Sequence, residues 1–311
     1  MKKFLVRIAL FSSLVVTYLA LALWMDPFNV IHAEENQARL KSEQNISDKV
    51  NAALFRLQEF KQNPARIAIF GDSRANQINK LKFDSISGTT CYNLAIPGGS
   101  FPESMAMMRE IVDHYPVDIV YFGVNFDIFN KLNNKNRVPE ALETLNSPIG
   151  YILSKNTMKS VYYLSVSQVL GSDIQLHKPP GNRASFWNYQ LDFTAANRVR
   201  NYIYPENFVD SLRSMAAQCE QKGIELHLFI PPTHTDLSNK IQQLGLGAEY
   251  ARFKTELSAI AQTIDFDVPN EVTTDSSRFN DPFHTARKLS RLKSWSNYGR
   301  HTSIKAPPIN V

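Results

Sequence analysis

A serine and a histidine stand far apart in this sequence, each in a setting that suits acyl transfer. Ser73 lies in Gly71-Asp72-Ser73-Arg74, directly after the apolar run 67–70, and His284 follows Asp281 by three residues. A serine hydroxyl is a weak nucleophile at neutral pH and needs a base within hydrogen-bond reach, itself oriented by a third group. One Asp-x-x-His loop can supply both. The two motifs therefore predict a Ser-His-Asp site.

Both motifs also have a purely structural interpretation. A Ser at a strand-to-helix turn can cap the helix, and a single His is more often a core or surface residue than a base. At average residue usage, Gly-Asp-Ser occurs by chance in roughly one chain in ten of this length, and Asp-x-x-His in about one in three. Their placement is more informative, because the first motif follows the first predicted strand and the second lies beyond the last.

Apolar runs alternate with stretches of helical periodicity along the chain. We predict strands at 65–70, 89–94, 117–124, 225–230 and 264–268, and helices at 50–60, 75–81, 102–112, 205–223 and 249–264. This alternation predicts a three-layer α/β/α sandwich with a parallel, flavodoxin-like sheet. Ser73 would then lie at the carboxyl end of a parallel strand, where such folds place their reactive groups.

Residues 131–204 interrupt this rhythm. The segment is rich in Asn, Ser, Tyr and Pro and includes the loop signal Lys178-Pro179-Pro180-Gly181-Asn182. An insertion of this size beside a crevice is often a lid or a substrate-binding surface. Its aromatic residues fit either stacking on sugar rings or the core of a small subdomain; they are Tyr151, Tyr162, Tyr163, Phe186, Trp187 and Tyr189.

The amino terminus has the pattern of a membrane-targeting segment. Lys2, Lys3 and Arg7 precede the uncharged run 8–25, which is just long enough to span a bilayer. The basic flank predicts a cytoplasmic amino terminus and an extracytoplasmic, periplasmic or cell-surface, domain. Because Ala20-Leu21-Ala22 also fits a signal-peptidase site, export after cleavage is the alternative to an N-terminal transmembrane anchor.

Composition excludes several other classes of protein. The chain has 311 residues, 43% of them hydrophobic, and a net charge of only +5, so we expect no nucleic-acid partner. The basic cluster Arg287, Lys288, Arg291 and Lys293 is predicted to be a solvated face. Cys91 and Cys219 form no CxxC motif and are predicted to be two core thiols, with a bond between them left open. No His-x-x-x-His pair is present, and we expect neither metal nor cofactor.

Four short blocks resemble, in order, those of the SGNH (GDSL-type) hydrolase superfamily. They are Gly71-Asp72-Ser73, Asn93-Leu94-Ala95-Ile96-Pro97-Gly98, Gly123-Val124-Asn125 and Asp281-Pro282-Phe283-His284. The resemblance implies that Ser73 is the nucleophile, His284 the base and Asp281 its orienting partner. It also implies an oxyanion hole made by the backbone N–H groups of Ser73 and Gly98 and the Asn125 side chain. The match covers about residues 65–130 and 205–290.

Some residues depart from the superfamily pattern. Asp127 stands one place later than a Gly-x-Asn-Asp block would put it, and Arg74 stands where lipase-like members usually carry Leu. Arg74, the N-terminal segment and Pro231-Pro232-Thr233-His234 resemble membrane-tethered relatives that move acyl groups on cell-surface polysaccharides. His234 itself is predicted to lie in a solvent-facing loop. The other serine-hydrolase signature, Gly-x-Ser-x-Gly, is absent because Ala75 replaces its second Gly.

Together these patterns predict a membrane-bound or exported enzyme. We expect a signal anchor or signal peptide at 1–25, a connecting segment at 26–64, a catalytic domain at 65–292 with an insertion at 131–204, and a tail at 293–311. The predicted reaction is serine-dependent ester hydrolysis or acyl transfer on an acyl-ester or glycan substrate. Polysaccharide-export or acylation proteins are the expected partners. The alternative is a non-catalytic SGNH-like binding or assembly module of an envelope polysaccharide machine.

Overall fold

The computed structural model describes residues 1–32, 46–78, 83–84, 88–170 and 182–286. The basic cluster at 287–293, the tail at 293–311 and most of the Pro179-Pro180 loop lie outside the described residues.

Five parallel strands form the central sheet in the order β2-β1-β3-β4-β5. The strands are β1 Ile67–Phe70, β2 Cys91–Asn93, β3 Ile119–Gly123, β4 Glu225–Ile230 and β5 Gln262–Asp265. The order 2-1-3-4-5 is that of flavodoxin-like sheets. Phe70 pairs in register with Phe122, and Gly123 with Phe229, so the carboxyl ends of β1, β3 and β4 meet at one edge. The predicted α/β fold with a parallel sheet is confirmed.

Helices flank this sheet and connect its strands. They are α1 Lys2–Met25, α2 Ala52–Gln62, α3 Phe101–His114, α4 Val138–Asn146, α5 Pro148–Leu153, α6 Lys155–Leu170, α7 Arg183–Tyr189, α8 Ala196–Val199, α9 Glu206–Gln221, α10 Thr235–Gln243 and α11 Gly247–Ile260. A π-helical turn, Gln190–Ala195, joins α7 to α8. Beyond the sheet, the short antiparallel strands β6 Phe279–Asp281 and β7 His284–Thr285 form a hairpin.

The two faces of the sheet are covered unequally. Side chains of α2, α3, α9 and α11 join the main core, in which Leu57, Met108 and Phe253 pack with Phe122 of β3. In the described ranges the second cluster consists of strand residues such as Ile69 together with the turn after β1 and neighbouring loops, and no long helix contributes to it. The helical layer that the sandwich prediction places there is therefore not seen in these ranges. Cys91 belongs to the second cluster and Cys219 to the main core.

Several predicted element boundaries are wrong. The predicted helix 75–81 is only a 3₁₀ turn, Ala75–Gln77, because Ile78 is already extended with ψ 120°; residues 79–82 lie outside the described ranges. The last strand begins two residues before the predicted start at Ile264. Helix α11 ends at Ile260 because Ala261 is extended, and the Thr263 hydroxyl donates to the carbonyl oxygens of Leu257 and Ala261.

The insertion is helical where the sequence suggested an irregular segment. Its polar residues act as helix caps: Ser147 Oγ accepts the Gly150 N–H at 3.0 Å, and Asn182 Oδ1 accepts the Ala184 N–H at 2.8 Å. Residues that look like loop formers in the sequence thus begin α5 and α7. Of its aromatic residues, Tyr151 is fully buried, whereas more than half of Tyr189 is exposed.

Helix α1 spans 24 residues, and its carboxyl end packs on α6 of the insertion. The chain leaves α1 at Asp26, whose φ of +39° is left-handed. The Asp26 carboxylate accepts the Tyr151 hydroxyl at 2.7 Å and the backbone N–H groups of Val30 and Ile31. In the part of the chain that the structure describes, no helix is both long and apolar enough to cross a bilayer. The predicted N-terminal transmembrane helix is therefore unsupported.

Candidate active site

Glycines at two strand ends allow the Ser73 turn to approach β3 closely. Gly71 has φ +140°, and a Cβ there would lie 2.7 Å from Ala75 Cβ and 2.8 Å from the Gly123 carbonyl oxygen. Any side chain would collide with both, so the chain needs glycine at this position. The close approach puts Ser73 at the edge where β1 and β3 end.

Ser73, His284 and Asp281 form a continuous hydrogen-bonded chain. Ser73 Oγ lies 2.8 Å from His284 Nε2, and His284 Nδ1 lies 2.9 Å from both carboxylate oxygens of Asp281. The tautomer that satisfies these contacts carries its proton on Nδ1, which donates to Asp281, while Nε2 accepts the Ser73 hydroxyl proton. The structure thus brings Ser73 together with Asp281 and His284, although Ser73 and His284 are 211 positions apart in the sequence.

The hairpin holds Asp281 in its charged form. Asp281 Oδ1 also accepts the backbone N–H groups of Phe283 at 2.8 Å and His284 at 3.0 Å. Burial alone would raise the pKa of Asp281, but the hydrogen bonds and charge of His284 and the two backbone donors outweigh it and lower the pKa below its usual value. The carboxylate is therefore ionised at neutral pH and can orient His284.

Two of the three predicted oxyanion donors face one cavity. Ser73 and Gly98 both line it, and Gly98 has φ +64°, a left-handed conformation that favours glycine. The neighbouring Gly99 N–H is used in the turn, where it donates to the Ile96 carbonyl at 2.8 Å. Among the described residues no backbone bond engages the Ser73 or Gly98 N–H group. Both are free to meet a developing negative charge.

Asn125, the third predicted donor, lies beside the Ser73 turn but is buried. Its Nδ2 donates to Asp72 Oδ1 at 2.9 Å, and only 2% of the residue is exposed. A primary amide carries two N–H bonds, and Asp72 takes one of them. A role for Asn125 at the oxyanion remains a prediction that depends on the second N–H.

Arg74 binds the Ser73 turn to the segment that follows β3. Its guanidinium donates to Asp72 Oδ2 at 2.9 and 3.1 Å and to Asp127 Oδ1 at 2.6 Å. These contacts supply the role that sequence reasoning could not find for Arg74. Asp127 stands one place later than the superfamily pattern would put it, and in this position its carboxylate binds Arg74.

The insertion completes this buried ion network. Arg198, which lies in α8, donates to Asp127 Oδ2, so Asp127 joins two arginines. Both guanidiniums lie over the ring of Phe283, with Arg198 4.7 Å and Arg74 5.7 Å from its centroid. No sequence motif marked Arg198, since only the folded insertion brings it to the strand ends.

The charges in this network hold each other ionised. Burial alone would raise the pKa of Asp127, but the charges of Arg74 and Arg198 and their hydrogen bonds lower it to about 2. Burial would likewise lower the pKa of Arg74, and Asp127 and Asp72 hold it above its usual value. A buried pair of this kind is costly to break, because removing one partner leaves an uncompensated charge.

His234 supports the hairpin from the other side, and the prediction of a solvent-facing loop is wrong. Only 5% of the residue is exposed, and its Nδ1 accepts the Asp236 N–H at the start of α10. Its ring packs edge-on against Trp187 and Phe279, and its backbone N–H donates to the Pro282 carbonyl at 2.9 Å. Burial here follows from the insertion, because Trp187 covers the histidine.

A cavity of about 400 Å³ opens beside Ser73. This volume is within the range of small-molecule sites. Its walls come from the Ser73 turn, the Gly98-Gly99 turn, the segment after β3 and the insertion, which contributes Asn197, Arg198 and Arg200.

Comparisons with known proteins give only a distant likeness. No protein-family model matches the chain, and no curated protein matches it. Among solved structures, the chain is similar to the crystal structure of a putative acylhydrolase from Bacteroides fragilis, with 12% sequence identity and a TM-score of 0.41. The alignment covers 79% of this chain and 95% of that one. A likeness this distant supports no inference about the reaction.

Proposed function

We propose that the protein is a serine-dependent esterase or O-acyltransferase of the SGNH type. One observation carries the proposal: Ser73 Oγ, the His284 ring and the Asp281 carboxylate are joined by contacts of 2.8 and 2.9 Å. That arrangement is the one that activates a serine hydroxyl. Gly98 on the same cavity adds a donor for the oxyanion.

The chemistry follows from the order of these contacts. His284 Nε2 takes the proton as Ser73 Oγ attacks an ester carbonyl, and Asp281 stabilises the resulting imidazolium. The Ser73 and Gly98 N–H groups meet the oxyanion, and each such donor typically contributes about 3 kcal/mol of transition-state stabilisation. His284 then returns the proton to the departing alcohol. Water or a sugar hydroxyl accepts the acyl group from Ser73 in the second half of the reaction.

A fluorophosphonate probe tests the nucleophile directly. The probe forms a covalent bond with a serine that an adjacent base activates, so we expect wild-type protein to be labelled and mass spectrometry to find the adduct on Ser73. Ser73→Ala should be unlabelled, and the exposed, distant Ser258→Ala should label as wild type does. A wild-type protein that is not labelled, or a label on another serine, would remove the proposed activity and favour the binding-module alternative.

The location of the substrate is a separate part of the proposal. We propose that the domain works outside the cytoplasm, on an acyl group of a cell-envelope polysaccharide. The support is the apolar run 8–25 behind Lys2, Lys3 and Arg7, a pattern typical of an export signal, together with the resemblance of the site blocks. We expect alkaline phosphatase fused at the carboxyl terminus to be active in bacteria and a cytoplasm-dependent fluorescent reporter to be dark. The reverse result would contradict the extracytoplasmic location without touching the chemistry.

A further inference from the structure

The charged groups on the cavity lining and directly behind it carry one positive charge in excess. Asp72 and Asp127 contribute two negative charges, and Arg198 and Arg200 contribute two positive charges on the same lining. Arg74 lies behind them and is buried. Which of these charges is available to a substrate depends on the partners that each already has.

Both carboxylates are already occupied. Asp72 Oδ1 accepts the Arg74 backbone N–H and Asn125 Nδ2, and its Oδ2 accepts the Arg74 guanidinium. Asp127 uses one oxygen for Arg74 and the other for Arg198. The charges of the two aspartates, Arg74 and Arg198 therefore sum to zero.

Among the described residues, no acidic side chain compensates the charge of Arg200. The residue is exposed, it lines the cavity, and in the described part of the chain no hydrogen bond or ion pair engages its side chain. A guanidinium presents its N–H groups in a planar fork that matches a carboxylate. The cavity thus has a free anion-binding group on the wall that the insertion supplies.

The backbone around Arg200 is fixed to the end of β3. Buried Asn130 donates to the Arg198 carbonyl at 3.1 Å and accepts the Ile203 N–H at 3.3 Å. The Lys131 N–H donates to the Ile203 carbonyl at 3.0 Å. The segment is also preceded by a π-helical turn, a feature that is frequent at functional sites. Arg200 is therefore placed at the cavity by contacts on both sides of it.

We propose that Arg200 determines specificity by binding a negatively charged group, a carboxylate, on the ester substrate or on the acceptor that enters this cavity. The proposal rests on the proposed function and adds the substrate class to it. Arg200 does not touch the reacting atoms. Its effect is expected in the choice between anionic and neutral substrates.

Two pairs of matched esters test this role. The first pair places the charge on the acyl side, 4-nitrophenyl hydrogen adipate against 4-nitrophenyl methyl adipate. The second places it on the alcohol side, 4-acetoxybenzoate against its methyl ester. We expect wild type to favour the anion in at least one pair, and Arg200→Gln to reduce that preference in kcat/KM by about tenfold through KM, as loss of one charged hydrogen-bonding partner predicts. The pair that responds identifies the side of the ester that carries the charge.

Two further variants separate a specific contact from general electrostatics. Arg200→Lys should keep part of the preference, because it keeps the charge and loses the fork. Arg109→Gln removes an equal charge from the exposed side of α3, away from the cavity, and should leave the preference as in wild type. The proposal would be overturned by an equal loss of preference in Arg109→Gln or by the absence of a wild-type preference in both pairs. Equal effects of Arg200→Gln on the anionic and the neutral ester in both pairs would overturn it as well.

Binding to Ser73→Ala protein separates this proposal from the proposed reaction. That variant cannot form an acyl-enzyme, so calorimetry with the four esters measures recognition alone. We expect an anionic ester to bind more tightly than its neutral partner and to lose that advantage in the Ser73→Ala, Arg200→Gln double variant. That result would support the anion site even if wild type had no esterase activity. Equal binding of both members in both pairs would overturn it even if the esterase is active.

Discussion

Replacing His284 with Gln is expected to lower kcat/KM for 4-nitrophenyl acetate by about 10⁴-fold or more. Glutamine cannot take the proton that Ser73 Oγ gives to His284 Nε2 across 2.8 Å. Losses of this order accompany removal of the base in serine hydrolases, because nucleophile and base act as a unit. Ser73→Ala should lose as much, and the double variant should be hardly worse than either single variant.

A matched control keeps this result interpretable. His114 lies at the exposed end of α3, with 62% of its side chain accessible, and His114→Gln should retain wild-type activity. Thermal unfolding of each variant checks that the fold is intact. Turnover by His284→Gln within tenfold of wild type would exclude His284 as the base. Additive losses in the double variant would show that Ser73 and His284 do not work together.

Asp127→Asn is expected to destabilise the protein by about 3–5 kcal/mol at pH 7. The substitution removes the charge that joins Arg74 to Arg198 and leaves two guanidiniums without it, one of them almost fully buried. Urea unfolding measures the loss. Asp210→Asn is the control, because that carboxylate is 73% exposed and forms a surface ion pair whose removal should cost less than about 1 kcal/mol.

The pH dependence of the stability difference between wild type and Asp127→Asn identifies the cause of the loss. Because folding lowers the pKa of Asp127 from 3.8 to about 2, its ionisation contributes stability above pH 3.8 that is lost as the pH falls through 2. The contribution is about 2 kcal/mol at neutral pH and roughly half of that at pH 3. The difference between wild type and Asp127→Asn should therefore shrink from pH 7 to pH 3. A difference that stays constant with pH would assign the loss to packing instead.

Local sequence patterns predict the sheet and the contact between Asp281 and His284 because both depend on short segments. The predicted strands at 67–70 and 225–230 appear as strands in the structure, and residues 67–70 and 227–230 are buried in the sheet. Asp281 and His284 lie on one hairpin, so their spacing alone brings them together. Gly71 stands where a side chain would collide with β3, and a glycine in that position is visible in the sequence.

The features of the site that local sequence patterns do not reveal depend on contacts between distant segments. Arg74 and Asp127 are visible in the sequence only as departures from a pattern, because Arg198, which completes their ion network, lies 71 positions beyond Asp127. The prediction that His234 lies in a solvent-facing loop is wrong because Trp187, which covers the histidine, belongs to the insertion. The composition of the insertion suggests an irregular segment because Ser and Asn favour loops, but in the structure Ser147 and Asn182 cap helices.

Phe283 separates Asp281 from His284 in sequence, and its ring is 99% buried beneath two guanidiniums. The backbone of His284 cannot move away from Ser73 without pulling on this ring, which packs against the ion network. The conformational freedom of residues 281–284 is therefore lost when the protein folds, before any substrate binds. Such preorganisation lowers the entropic cost of each reaction cycle. Slow amide exchange at residues 283 and 284 would be its signature, since both N–H groups donate to the buried Asp281 carboxylate.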